Sequence, residues 1–320
     1  MYYRFIFFAA TLFCLPFSEE TRNILLKSKT NDKVVLNYSK NISNNQHKDN
    51  LIEYISKNKD INNEINLPTQ TTFYQIKDGR DINISYVVND TEIISTEGLE
   101  DFSDIINEAI YPENNLFVSE PLIFRGVVVK EITFTPYKIN FSNNTIEIYN
   151  DVDIYVEEYS TNEDINYTRV KLSRAFEPFY ESMIPNYERS SREEDYQKPA
   201  VLYICGGNSL DNPYVQNLID WRHKIGYIVY VVETSEIGSS SSSVKNYIQN
   251  AYENWENPPE IVGLIGDTSG SYSIGYFTEN QSGYNGEGDF PYSQLDGADF
   301  MPEIFIGRIS ATSSSQLNNI

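Results

Sequence analysis

Three apolar runs in the second half of the chain, separated by stretches of helical spacing, constrain the fold most. They occupy residues 200–205, 227–232 and 260–265. A strand that is buried on both faces has a continuous apolar sequence, and strands that alternate with helices pair in parallel. A fourth run, 303–309, follows a long irregular stretch. Residues 198–320 are therefore predicted to form an incomplete α/β domain, a parallel sheet with helices on both faces.

A different pattern precedes this domain. Between residues 71 and 160, apolar and polar residues alternate with a period of two, which is typical of half-buried antiparallel strands. Asn143-Asn144 separates two such runs and predicts a hairpin turn. Residues 19–70 are polar and rich in Asn, Lys and Asp, and we expect them to be weakly ordered. The predicted fold class is α+β and multidomain, an antiparallel β domain followed by the α/β domain.

The N-terminus has the pattern of a signal peptide. Residues 1–4 carry a positive charge, residues 5–17 are apolar, and Ser18 is small. The apolar run is shorter than the roughly 20 residues that cross a bilayer. We predict a signal peptide over residues 1–18 and a secreted or cell-surface protein, with an uncleaved anchor as the alternative.

Residues 161–198 are predicted to be a charged linker between the two domains. Within it, residues 187–195 contain Arg189 and Arg192 among acidic and serine residues, so a protease should be able to reach them. Two interpretations stay open. The segment is either a processing site after Arg189 or Arg192, or an ordinary solvated linker, which composition alone favours.

Charge and cysteine content exclude several classes of function. The chain has 24 Lys and Arg against 46 Asp and Glu, a formal net charge of -22. An acidic surface repels phosphates, so no nucleic-acid partner is expected. The 2 cysteines and 2 histidines exclude a disulfide-rich scaffold and a Cys/His zinc cluster. Gly206-Gly207 lacks the spacing of a nucleotide-binding loop, and no cofactor is required.

Candidate site residues follow the predicted strands. Ligands of open parallel sheets bind beyond the carboxyl ends of the strands, which here carry Gly206-Gly207, Glu233 and Gly266-Asp267. The loop 268–302 is long and contains acidic residues but no Lys or Arg, and its carboxylates would suit Ca²⁺. A solvated acidic loop is the alternative.

The cysteine in this half of the chain is not a favoured nucleophile. Cys205 lies in an apolar run and is predicted to be a buried, inert thiol. His223 is predicted on the solvent side of the following helix, so a Cys205–His223 dyad is not favoured.

Several short motifs occur in a fixed order along residues 198–320. They are Gly266-Asp267, Asp289-Phe290-Pro291-Tyr292, Leu295-Asp296-Gly297-Ala298-Asp299 and Ile306-Gly307-Arg308-Ile309-Ser310. This set resembles the gingipain-type cysteine peptidases of family C25. Upstream, the chain resembles the propeptide that precedes such domains, at Ala109-Ile110-Tyr111-Pro112, Pro121, Arg125-Gly126 and Asp151-Val152.

The resemblance implies a caspase-like fold and a Cys–His dyad whose thiolate attacks a peptide carbonyl. No residue up to position 320 matches the family's His-Gly or nucleophilic Cys motif. We therefore expect the dyad beyond residue 320 and no peptidase activity from residues 1–320. The resemblance also raises the expectation of Ca²⁺, with these candidate ligands: Asp267, Asp289, Asp296 and Asp299.

The expected partners are a protein or peptide substrate, the chain's own prodomain over residues 71–160, and bacterial secretion machinery. Two rival hypotheses come from other classes of function. One is a non-catalytic secretion or surface-assembly protein built on the same fold, and the other is an acidic binding module.

Overall fold

A computed structural model of the chain describes residues 24–30, 33–39, 67–95, 109–281 and 284–319. The predicted signal peptide lies outside the described residues. Within the described ranges, no helix combines the length and the apolar character needed to cross a membrane.

Antiparallel sheets make up the first part of the described chain, which we call the β-sandwich region (residues 24–160). Its strands are β1 Ile24–Lys29, β2 Lys33–Ser39, β3 Gln70–Gln75, β4 Arg80–Ser95, β5 Ile110–Tyr111, β6 Leu116–Val118, β7 Leu122–Phe124, β8 Val127–Phe134, β9 Tyr137–Asn140 and β10 Thr145–Ser160. One sheet has the order β1-β2-β10-β9-β5, with β4 also paired to β10. The other has the order β3-β8-β6, with β7 also paired to β8.

The two sheets share one core. Side chains of both, such as Leu36 and Ile154 from the first and Val128 and Phe134 from the second, form a single buried cluster. In β2 and in the second half of β10, alternate residues point into this cluster, as expected for two sheets packed face to face. The hairpin turn predicted at Asn143-Asn144 joins β9 to β10, and Asn144 has a φ of 50°.

The description of residues 19–70 as weakly ordered needs correction for residues 24–29 and 33–39. These residues form β1 and β2, and β2 lies between β1 and β10. The alternating residues Val34, Leu36 and Tyr38 are buried while their neighbours are not. Averaging the composition over some fifty polar residues hides this seven-residue alternation, which is long enough for a strand.

The connecting segment (residues 161–199) is also more than the charged linker that was predicted. It contains helix α1, Glu177–Met183, and a short 3₁₀ helix, Glu193–Asp195. Phe176, Tyr180 and Ile184 are buried in a cluster that also contains Phe124 of β7 and Met301 of the following domain. The segment therefore packs between the two domains, because its apolar residues recur at helical spacing within an otherwise charged sequence.

The α/β domain (residues 200–319) has the predicted alternation of strands and helices. Its elements are β11 Ala200–Cys205, α2 Pro213–Lys224, β12 Ile228–Glu233, α3 Thr234–Ile237, α4 Ser241–Asn254, β13 Ile261–Ile265, β14 Phe277–Gln281, β15 Tyr284–Gly288, β16 Phe305–Ile309 and α5 Ser314–Leu317. The sheet order is β12-β11-β13-β16, and every pair is parallel. β14 and β15 form a separate hairpin within the long loop.

Helices cover both faces of this sheet, which confirms the predicted fold class. Leu202 and Ile204 of β11 pack with α4, whereas Tyr203 and Cys205 pack with α2. Local signals set both helices: Asn212 and Ser240 accept N–H groups at the first turns of α2 and α4. The carboxyl ends of four strands consequently meet at one edge of the sheet.

Candidate functional site

The carboxyl edge of the parallel sheet is closed by the backbone of the following loop. A Cβ at Gly206 or Gly266 would lie 2.2 Å or 2.0 Å from the carbonyl oxygen of Tyr272, and one at Gly207 would lie 2.3 Å from that of Ser271. Only glycine permits such close approach of two backbones. The loop that follows β13 therefore packs directly against the backbone of Gly206-Gly207.

Arg308, on β16, fixes this long loop to the sheet. Its guanidinium donates to both carboxylate oxygens of Asp289 (2.8 and 2.7 Å) and to the carbonyls of Gly266, Ile274 and Gly275. The side chain is only 8% exposed, so these bonds replace its hydration. The Arg and Asp of two separate sequence motifs thus form one structural contact.

The other predicted calcium ligands bind backbone N–H groups. Asp267 accepts from Thr268 (2.8 Å), and Asp296 accepts from Gly297 (3.0 Å). Asp299 accepts from Met301 (2.7 Å). Within the described ranges there is no group of three or more His, Cys, Asp or Glu placed to hold a metal ion. The contacts of these carboxylates are with N–H groups and with Arg308, and calcium binding stays a prediction.

A buried glutamate that sequence inspection missed lies beside two of these aspartates. Glu303 is fully buried, and its Oε2 accepts the N–H groups of Leu295 (2.5 Å) and Asp296 (3.2 Å). Burial, with a smaller contribution from nearby Asp299, raises its pKa to about 9. Burial likewise raises the pKa of Asp299 to about 6. The carboxyl of Glu303 is therefore neutral near pH 7.

Neither Cys205 nor His223 is placed for catalysis. Cys205 is fully buried, and burial raises the pKa of its thiol to about 12, far from the value of a reactive thiolate. His223 is exposed on α2. The prediction of an inert thiol agrees with this environment.

The aspartates of the long loop face the β-sandwich region and the connecting segment. Asp299 Oδ2 accepts the N–H of Ile123 (2.7 Å), and Asp296 Oδ2 accepts the N–H of Thr168 (2.6 Å). The ring of Phe176, just before α1, stacks on Phe305 of β16 with centroids 4.3 Å apart. The α/β domain thus holds the preceding parts of the chain by backbone, carboxylate and aromatic contacts.

The two candidate processing residues lie in an extended, exposed part of the connecting segment, but their environments differ. Arg189 pairs with Glu177 (2.9 Å) and Glu181 (3.0 Å) of α1. Arg192 pairs with Glu194 and Asp195, two and three positions further along the chain, and its side chain is 66% exposed. A protease that reads arginine would find the Arg192 side chain more accessible.

Glu177 joins the two sides of this segment. Its side chain is 2% exposed, and it accepts the hydroxyls of Tyr187 and Tyr196 as well as pairing with Arg189. On the backbone, Leu172 exchanges hydrogen bonds with the chain around Tyr196. Residues after Arg192 are therefore held against residues before α1.

Comparison with known protein families divides the chain at the same segment. The model for the C25 propeptide matches residues 74–193, and the model for peptidase family C25 matches residues 194–320. Residues 74–320 match family C25, first its propeptide and then its peptidase domain. The β-sandwich region from residue 74 and nearly all of the connecting segment are thus a C25 propeptide, and the α/β domain is the matched part of a C25 peptidase domain.

Curated relatives of this C25 chain come from Porphyromonas gingivalis. Gingipain R2 is 25% identical over 224 residues, covering 66% of this chain and 28% of the relative. Lys-gingipain is 24% identical over 206 residues, covering 61% of this chain and 11% of the relative. The chain therefore spans less than a third of the length of these relatives.

Solved structures with similarity include the complex of Porphyromonas gingivalis RgpB pro- and mature domains. The TM-score is 0.35 at 18% sequence identity, covering 52% of this chain and 98% of that chain. A second structure, of the Arg-specific cysteine proteinase gingipain R, has a TM-score of 0.32 at 22% identity and covers 41% of this chain and 28% of that chain.

Proposed function

We propose that this chain is the N-terminal portion of an exported precursor of a gingipain-like cysteine endopeptidase. The observation that carries the proposal is the meeting of the two family matches between residues 193 and 194, next to the exposed Arg192. A cut after Arg192 or Arg189 would separate a propeptide from the peptidase domain that it contacts. Relatives several times longer than this chain support a peptidase domain that continues beyond residue 320.

The reaction proposed is peptide-bond hydrolysis by a Cys–His dyad that lies beyond residue 320. A thiolate attacks the peptide carbonyl, the imidazole protonates the leaving amine, and water then hydrolyses the acyl-enzyme. Cys205 is a poor nucleophile in this scheme, because its thiol is buried and stays protonated. The α/β domain described here would supply the sheet on which later strands place the dyad.

Export through residues 1–18 to the cell surface or medium belongs to the same proposal, as do the protein substrate and the contact with secretion machinery. Mass spectrometry of the protein recovered from its native host tests export. A mature N-terminus at or near residue 19 supports it, and an intact Met1 in the membrane fraction contradicts it.

The activity is tested on two proteins, the 320-residue chain and its natural extension. Casein and fluorogenic peptides should be hydrolysed only by the extended protein, after processing. Activity in the 320-residue chain that is lost in Cys205→Ala would refute the assignment. If the extension lacks a His-Gly followed by a Cys, the non-catalytic assembly protein becomes the better hypothesis.

The processing site is tested with Arg189→Gln and Arg192→Gln in the full chain. N-terminal sequencing after exposure to an arginine-specific protease should find the new terminus at Glu193, and Arg192→Gln should abolish it. A cut that persists unchanged in both variants contradicts the assignment.

A further inference from the structure

Arg125 is a fully buried arginine at the tip of a tight turn. It occupies, with Gly126, the two-residue connection between β7 and β8, and both residues have positive φ values, 44° and 75°. Turns of this kind favour Asn-Gly, and a side chain with a Cβ is disfavoured at positive φ. A residue kept in an unfavourable backbone conformation is a candidate for a functional role of its side chain.

The guanidinium of Arg125 is bound by oxygens of the peptidase side of the chain. Nη1 donates to the carbonyls of Pro259 (3.1 Å) and Glu303, and Nη2 donates to Gln197 Oε1 (3.0 Å) and the carbonyl of Pro258 (3.2 Å). All four acceptors come after residue 193, within the C25 peptidase match. The two terminal nitrogens of the guanidinium therefore meet four acceptors that all lie within the peptidase match.

Two aromatic rings complete the enclosure. The Arg125 guanidinium lies 5.2 Å from the ring centroid of Phe176 and 5.8 Å from that of Tyr252 on α4. The hydroxyl of Tyr180 donates to the Arg125 carbonyl (3.2 Å), which fixes the turn from the propeptide side. The ring faces add a cation–π attraction to this fully buried guanidinium.

This enclosure lies at the end of the sheet opposite to the carboxyl edge. Gln197 precedes β11, Pro258 and Pro259 precede β13, and Glu303 precedes β16. In a parallel sheet, these positions are the amino ends of the strands. Arg125 therefore binds away from the edge at which parallel sheets place their ligands.

The acceptors select a guanidinium over other cations. None of the four acceptor groups is a carboxylate, so recognition depends on the geometry of the donors more than on charge pairing. Arginine offers planar donors in a fixed fork and stays protonated, whereas lysine offers three donors from one point. A lysine at position 125 could donate to only some of the four acceptors.

We propose that the C25 peptidase domain carries a guanidinium-binding pocket at the amino edge of its sheet, and that Arg125 occupies it to retain the propeptide after the connecting segment is cut. The ligand class is an arginine side chain presented by a β-hairpin. The proposal deepens the proposed function, since it supposes that the two parts become separate chains.

The test introduces its own cut so that it does not depend on natural processing. A recognition sequence for a sequence-specific protease is inserted after Arg192 in the full chain, which is folded, cut and analysed by gel filtration and by dilution. The variants are Arg125→Ala, Arg125→Lys and, as matched control, Arg169→Ala. Arg169 is an exposed propeptide arginine that pairs with Asp78.

Before the cut, every protein should elute as one species. After the cut, the two parts of the unaltered protein and of the Arg169→Ala control should still co-elute. Loss of the four hydrogen bonds in Arg125→Ala should weaken association on the order of a hundred-fold. Ethylguanidinium at about 20 mM, far below denaturing concentrations, should restore association, because it replaces the atoms that the substitution removes. Ethylammonium should not restore it.

Each opposite result overturns the inference. These results are dissociation of the unaltered parts on cutting, unchanged association in Arg125→Ala, equal rescue by ethylammonium, or equal weakening in Arg169→Ala. If Arg125→Ala does not accumulate as a folded protein, Arg125→Lys takes its place and should associate at least about ten-fold more weakly. Association equal to that of the unaltered protein would then refute the pocket.

Discussion

The Glu303→Gln substitution should make the free energy of unfolding of this chain less dependent on pH. Glu303 is fully buried, and burial raises the pKa of its carboxyl from 4.5 to about 9. Glutamine has nearly the same shape as the neutral acid and cannot ionise. Its Oε1 can accept the N–H groups of Leu295 and Asp296 that Glu303 Oε2 now accepts.

The direction of this pH dependence follows from which state, folded or unfolded, keeps the proton on Glu303. Between pH 4.5 and about 9, the folded chain keeps a proton on Glu303 that the unfolded chain has lost. Stability contributed by this carboxyl is therefore fully present below pH 4.5 and is lost as pH rises towards 9. One proton corresponds to about 1.4 kcal/mol per pH unit, so from about pH 6 to about pH 8 the loss is about 2.5 kcal/mol. The Gln variant lacks this loss.

The assay is urea unfolding of both proteins at several pH values, with an exposed residue as control. Glu256→Gln, at an exposed position of the same domain, should keep the pH slope of the unaltered protein. The other charged and ionisable groups around Glu303 are the same in both proteins, so their contributions cancel in the difference; they are Asp296, Asp299, Lys245, Tyr252 and Arg125. Parallel stability curves for Glu303→Gln and the unaltered chain would refute a neutral Glu303.

Three further predictions concern the connecting segment, the sheet edge and the buried thiol. Glu177→Gln should remove one of the two ion pairs of Arg189 and speed cleavage after it by an arginine-specific protease, as measured by mass spectrometry of early fragments; an unchanged cleavage pattern would contradict the role of this ion pair. Gly206→Ala should lower stability by about 1–3 kcal/mol in thermal melts, because its Cβ would meet a backbone carbonyl at 2.2 Å, whereas Gly307→Ala, with nothing within 4 Å, is the control and should cost less. Cys205 should resist thiol reagents near pH 8 in the folded chain and react only after denaturation, and rapid labelling of the native protein would show that its thiol is accessible.

The order of strands and helices in the α/β domain was predictable because each element carries its own local signal. The run at 200–205 is buried on both faces, and Asn212-Pro213 begins α2 where Pro suits the first turn. Such signals depend on neighbours in sequence. The alternation of apolar and polar residues in β2 is the same kind of local signal. It does not show in the composition of residues 19–70, because the residues around it are polar.

The contacts of the site could not be predicted in the same way, because they join residues far apart in sequence. Glu303 and Arg125 are 178 positions apart, and the apolar residues beside each do not indicate which partner it meets. The acidic residues of the long loop suggested a cation. In the structure, Asp289 has a cationic partner in Arg308, and Asp299 binds the backbone of Ile123. A carboxylate in a long loop can thus be satisfied by a guanidinium or by N–H groups, and composition does not distinguish these partners from a metal ion.

A single cut next to Arg192 would remove very few of the contacts that cross the boundary between the two family matches. The stacked rings of Phe176 and Phe305, the carboxylate contacts of Asp296 and Asp299, and the hydrogen bonds of Arg125 all lie away from the cut. Each is independent of chain continuity at residue 192. Hydrolysis of this bond removes the covalent link that keeps the two parts at a high effective concentration. After the cut, the fraction of the two parts that stays associated depends on the protein concentration. If the chain is processed there as proposed, cleavage and release of the propeptide are separate steps, and the second is governed by contacts on the buried side of α1 and at the amino edge of the sheet.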